Sequence, residues 1–179
     1  MPILLLFCLL ASGCAGSSSR PEIDNNRPEQ AYLIPAVPFF PQKELLCGPA
    51  SLQSVFAFLG TDVPQDEIAR DIFVPKIKGT LHFDLVLYAR KKGFTTLTPE
   101  GSLDEMIRQI RSNRPVIAFL NQGTSLFPLG HYIVIFGYDQ RNEALVAHSG
   151  TDEFEQIKYS KFLRQWETTG RWMLVILPP

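Results

Sequence analysis

The stretch Phe40–Gly60, FPQKELLCGPASLQSVFAFLG, decides how the chain is read. Leu52, Val55, Phe56 and Leu59 recur at helical spacing, and Gly60 suits the position just past a helix end. A helix is therefore expected to open at or near Cys47. Pro49 fits its first turn, where a missing N–H costs nothing. Cys47 then stands at a helix N-terminus, where free N–H groups and a partial positive charge favour a thiolate. Gly48 lets another backbone come close. Read alone, Cys47 is open to four interpretations: a buried core thiol, half of a disulfide, a metal ligand, or a nucleophile.

The other cysteines narrow the choice. The start, MPILLLFCLLASGCAG, is an apolar run too short to span a bilayer as a stable anchor, and it ends in small residues. Ala11-Ser12-Gly13-Cys14 resembles a bacterial lipobox, although no Lys or Arg precedes the apolar run. The resemblance implies that residues 1–13 are a cleaved signal peptide and that Cys14 is lipidated. Ala15, rather than Asp, after the cysteine implies the outer membrane, facing the periplasm. Cys8 leaves with the signal and Cys14 becomes a thioether, so Cys47 has no intramolecular disulfide partner. Residues 14–30, rich in Ser, Pro and Asn, read as the lipidated cysteine and a flexible tether, with a folded domain over 31–179.

Composition suits one such domain: 179 residues, 45% apolar and 20% charged. The net charge of −1 offers no basic field for nucleic acid. Arg90-Lys91-Lys92 is the one basic cluster, and it reads as a solvated helix end. Further helices are expected over about 64–71 and 81–92, and from Ser102, where Ser102-x-x-Glu105 makes a capping box. Strands are expected at 115–120, 131–138, 143–149, 154–160 and 171–177, with a short helix over 160–170. Helices first and an antiparallel sheet after is an α+β plan.

His131 follows Gly130 and opens the strongly apolar HYIVIFGY, a strand end from which an imidazole can meet a nucleophile across a cleft. Gln42-x4-Cys47-Gly-Pro-Ala-Ser-Leu, with the distant GHYIVIFGYD, resembles the bacteriocin-processing cysteine peptidases that cut after double-glycine leaders, within the papain-like clan. The resemblance spans most of residues 35–177. It implies a papain-like fold with N-terminal helices on an antiparallel sheet. It also implies Cys47 as nucleophile, His131 as general base and later acid, and Gln42 with the Cys47 N–H as oxyanion donors. No cofactor is expected. The chain has no room for the transporter domain that many of these peptidases carry.

The third position departs from the pattern. Papain-like enzymes orient the histidine with Asp or Asn on the next strand; here the segment is LVAHSGT, with His148 at that place. If Asp139–Asn142 form the hairpin loop, His131 faces Gly150 and Ile133 faces His148, so the two histidines share a face and Ser149 points away. A bulge reverses this. Asp139 and Asp152 are alternative orienters. Zinc on Cys47, His131 and His148 finds no support in ligand spacing. His82 is expected at the surface near a helix start, and Asn121–Gly130 as a loop beside the cleft. The functional expectation is an envelope-tethered peptidase acting on peptide or protein substrates. The rivals are an inactive peptide-binding lipoprotein of the same fold, favoured by the missing carboxylate, and a transferase in which an amine intercepts the thioester.

Overall fold

The computed structural model describes residues 19–179. The expected signal peptide, 1–13, and the lipidated Cys14 lie outside the described residues. The first helix, α1 (Cys47–Phe58), begins at the cysteine. Its residues Gly48 to Phe56 are all buried, as an apolar helix used on every side must be. It packs on the sheet and is covered by α2 (Gln65–Ile72) and α3 (His82–Lys91). Leu52, Val55 and Phe56 are inaccessible to solvent, and Phe56 stacks on Phe94 at 4.7 Å between ring centroids. The basic cluster ends α3, where Lys91 and Lys92 pair with Asp71 and Glu67. At α4 (Leu103–Arg111) the Ser102 hydroxyl accepts from the Glu105 N–H at 3.1 Å, but the Glu105 carboxylate turns to Arg108 and Gln109, so only half of the expected box forms.

The sheet contains β1 (Ala31–Leu33), β2 (Thr95–Leu97), β3 (Val116–Asn121), β4 (Gly130–Asp139), β5 (Ala144–Ser149), β6 (Asp152–Lys158) and β7 (Met173–Leu177). Its order is β2-β7-β3-β4-β5-β6, and every pairing is antiparallel. β4 is the longest strand. β3 pairs along its first half and β1 along its second, on the edge opposite β5. α5 (Tyr159–Glu167) joins β6 to β7, which inserts between β2 and β3. The α+β plan and the five long strands are as the sequence implies. β1 and β2 were not expected; each has three residues, too short for an alternation to register.

Part of the segment whose composition reads as a tether lies against the domain. Ile23 packs on the core, and Asn25 closes two 3.0 Å hydrogen bonds with the N–H and C=O of Leu33. The Tyr138 hydroxyl donates to the carbonyl of Pro28, and the Gln140 N–H donates to that of Gln30. Polar composition reads as linker, yet an asparagine amide satisfies an edge strand as another strand would.

The β4–β5 register also differs from expectation. The turn covers Gln140–Glu143 and Asp139 pairs with Ala144. That two-residue shift keeps every side chain on its face. Between Ile135 and Gly137, however, β4 carries one extra residue, Phe136. His148 consequently pairs with Val134 and not Ile133. The bulge puts His148 on the face opposite His131 and turns Ser149 toward His131. Gly137 is where it closes: a Cβ there would lie 2.5 Å from Leu33 Cδ1 and 3.1 Å from Val146 Cβ. Gly137→Ala will cost about 1–3 kcal/mol by overpacking, read as a lower midpoint in chemical denaturation.

Candidate active site

Cys47 follows a tight turn in which the Leu46 N–H donates to Lys43 C=O at 3.0 Å and Leu45 has φ +64. No side chain caps α1, and its first turn holds no acidic residue. The N–H groups of Cys47, Gly48 and Tyr132 face the sulfur and favour its thiolate. Burial outweighs them and pushes the Cys47 thiol above its ordinary range. Gly48 admits its neighbours closely: a Cβ there would sit 3.2 Å from the Thr80 side chain and 3.4 Å from the Tyr132 ring.

His131, the second residue of β4, is buried. Gly130 before it is required by Phe119, whose ring would lie 2.4 Å from a Cβ. His131 Nε2 lies 3.1 Å from Ser149 Oγ at the end of β5. Burial holds His131 below its ordinary pKa, partly opposed by the Glu155 carboxylate. Cys47, His131, Ser149, Glu155 and Gln42 all line one groove of about 1010 Å³. Gln42 donates its N–H to Gly150 C=O at 3.0 Å, and its side-chain Oε1 is buried with no hydrogen-bond partner among the described residues.

His148 is placed elsewhere. Its Nε2 meets Val37 C=O at 3.0 Å and its Nδ1 meets Glu153 C=O. Its ring packs against Phe136 at 4.1 Å and Phe39 at 5.2 Å between centroids. Both nitrogens are committed to backbone, so neither is available to His131. This corrects the expectation for His148, and the cause is the bulge at Phe136. Asp139 is also excluded as orienter: its carboxylate accepts from Arg141 and Asn142 within the hairpin turn. Asp152 pairs with Ser149 across β5–β6 and lines the groove, but the hydrogen bond to His131 is made by Ser149. His148→Ala will lower stability by about 2–4 kcal/mol, from lost packing and the one hydrogen bond that a neutral ring donates to backbone. Urea denaturation reads the loss, and the alkylation rate of Cys47 in the folded protein will stay unchanged.

His82 is half-buried at the start of α3, not at the open surface expected. It stacks on Trp172 at 4.3 Å and its Nδ1 lies 2.7 Å from the Tyr132 hydroxyl. That hydroxyl donates to Thr80 C=O at 3.1 Å, so Nδ1 carries the proton it shares with Tyr132. His82 thereby braces the residue whose N–H faces the sulfur. Asn121, Gln122, Pro128 and Leu129 of the expected loop line the groove, and Leu126 and Phe127 stand about four-fifths exposed beside it.

Residues 34–173 match the Peptidase_C39 like family. The chain belongs to that family. Its fold is the papain-like cysteine peptidase fold of C39 domains, and three solved structures share it. One is a C39-like peptidase from Bacillus anthracis, 18% identical, TM-score 0.69, covering 84% of this chain and 98% of that one. Another is the peptidase domain of Streptococcus ComA, a bi-functional ABC transporter involved in quorum sensing, 21% identical, TM-score 0.61, covering 80% and 99%. A third is a double glycine motif protease from an AMS/PCAT transporter in complex with the leader peptide, 22% identical, TM-score 0.63, covering 80% and 92%. No curated protein matches the sequence. Family and fold together point to a cysteine peptidase-type hydrolase. Within this C39-like chain, the side chain that meets His131 Nε2 is the Ser149 hydroxyl, where the sequence pattern had pointed to His148.

Proposed function

We propose that the protein is a cysteine peptidase that hydrolyses peptide bonds through a Cys47 thioester, with His131 as the base. The observation that carries the reading is the shared groove: Cys47 at the uncapped start of α1, and His131 with its Nε2 on the Ser149 hydroxyl. A hydroxyl accepting from Nε2–H leaves the lone pair on Nδ1 for the thiol. His131 takes the thiol proton as sulfur bonds to the carbonyl carbon. The oxyanion is met by the Gln42 amide and the Cys47 N–H. His131 then gives the proton to the departing amine as the C–N bond breaks. Water, deprotonated by His131, displaces sulfur and releases the acid.

Peptides are the substrates, by analogy with the relative whose structure holds a leader peptide. The segment LLLFCLLASGCAG supports an anchor of lipid on Cys14, and with it a place in the bacterial envelope, at the outer membrane facing the periplasm. Mass analysis of the mature N-terminus tests this: a lipid-modified Cys14 supports it, and an unmodified N-terminus elsewhere removes it.

The activity is tested by mass spectrometry of a mixed peptide pool treated with wild type and with Cys47→Ala. Cuts made only by wild type are expected; identical digests overturn the reading. A second reading, a peptide-binding module without turnover, is favoured by the raised Cys47 thiol and the absent carboxylate. It takes over if peptides bind in the groove and none is cut.

A further inference from the structure

Gln42 lies on a stretch without regular structure, between Val37 and Leu46. An oxyanion donor needs a fixed position, because it acts only where charge develops. The residues on either side of Gln42 are gripped by one side chain. Gln65, the first residue of α2, donates from Nε2 to Pro41 C=O at 3.0 Å and accepts at Oε1 from the Lys43 N–H at 2.9 Å. The Gln65 backbone N–H donates in turn to Gln53 Oε1 of α1 at 3.1 Å. Both glutamines are 7% exposed. Gln53 lies on the same helix that Cys47 begins. A continuous hydrogen-bonded path therefore runs from the nucleophile's helix, through two buried amides, to the backbone astride Gln42.

We infer that Gln65 is a positioning residue that holds Gln42 in the oxyanion site, an inference resting on the cysteine peptidase reading. Among the side chains of this shape, the glutamine amide alone both donates and accepts. Glu at position 65 keeps the acceptor for Lys43 and loses the donor for Pro41. Asn is one carbon short. Met fills the volume and does neither. The exposed ion pair of Lys43 with Asp66 also joins the loop to α2, but such pairs contribute little. Pro41 and Lys43 are themselves exposed. Water therefore satisfies their backbone groups once the amide is gone, and the fold survives while the loop is freed.

The test compares Gln65→Met, Gln42→Ala and the double variant. Gln42→Ala is expected to lower kcat by about 10²–10³-fold, as loss of one oxyanion donor does. Gln65→Met is expected to lower kcat by about 10–100-fold, the cost of a misplacement near 1 Å, with KM little changed. In the double variant the Gln65 change adds almost nothing. Alkylation of Cys47 by iodoacetamide forms no oxyanion, so it keeps its wild-type rate in all three. Additive losses, or a parallel fall in alkylation and turnover, overturn the inference. Hydrogen exchange at the Lys43 amide gives a readout independent of turnover. Protection lost in Gln65→Met supports the clamp, and protection unchanged overturns it. If the wild type cuts no peptide while Gln65→Met still loses protection at the Lys43 amide, the peptidase reading is removed and the clamp stays in place.

Discussion

His131→Ala will lower kcat/KM by about 10³–10⁴-fold, the usual worth of a positioned general base within a nucleophile–base pair. The accompanying pH profile of the wild type is as informative as the loss. Burial holds His131 below its ordinary pKa and Cys47 above its own, so the resting pair near pH 7 is a neutral imidazole and a neutral thiol. A base works in its neutral form, which is present above its pKa. Activity will therefore persist into mildly acidic pH and fall only as pH drops through the depressed His131 value. On the alkaline side it will hold until the raised thiol ionises. The wild-type profile is thus a broad plateau, and in His131→Ala the acid limb moves up to the raised Cys47 value, because the thiolate must then form without a base. Iodoacetamide, which needs the thiolate, will label Cys47 more slowly than free cysteine at pH 7 and faster as pH rises. A thiolate titrating below pH 7 would sink the neutral-pair account.

Ser149→Asp will move that acid limb upward by about 1–3 pH units, because an opposite charge in contact favours the imidazolium by that much. The carboxylate replaces a buried hydroxyl already 3.1 Å from Nε2, at the last residue of β5. The sign follows from which form is stabilised: the charged ring gains a partner, so its pKa rises. The thiolate gains with it, since a protonated His131 is a cation beside the sulfur. Alkylation of Cys47 at pH 7 will accordingly speed up by about tenfold or more for each unit gained. Ser149→Ala removes the acceptor and frees the tautomer. It will lower kcat/KM by about tenfold, the worth of one hydrogen bond of roughly 1–1.5 kcal/mol. NMR of the ring nitrogens reads both changes without any substrate. If Ser149→Asp leaves the His131 titration where it was, Ser149 does not orient the ring.

Cys47 and the strand opening at His131 were legible because their signals are local. An apolar helix with Pro in its first turn announces its own start, and an apolar strand after Gly130 announces its own. The third position was not legible in the same way, since it depends on register across a hairpin. β4 is buried on both faces, so its residues show no alternation by which a face could be assigned. One signal was present nonetheless. Gly137 is a lone glycine inside a strand pattern, which is a common mark of a bulge. Given weight, it would have exchanged His148 for Ser149. Gln65 carried no such mark: a glutamine opening a helix is ordinary, and its role exists only through a loop more than twenty residues upstream.

The position of β7 bears on when the sheet can close. Residues 173–177, the last strand in chain order, form the inner rib between β2 and β3, not an outer edge. Trp172, just before it, is the plate on which His82 rests. A growing polypeptide that has already displayed Cys47 and His131 still lacks the piece that joins the two parts of its sheet. Ribs that pair across long sequence separations form late. Until residue 177 has emerged, β2 has no strand to pair with and the sheet ends at β3.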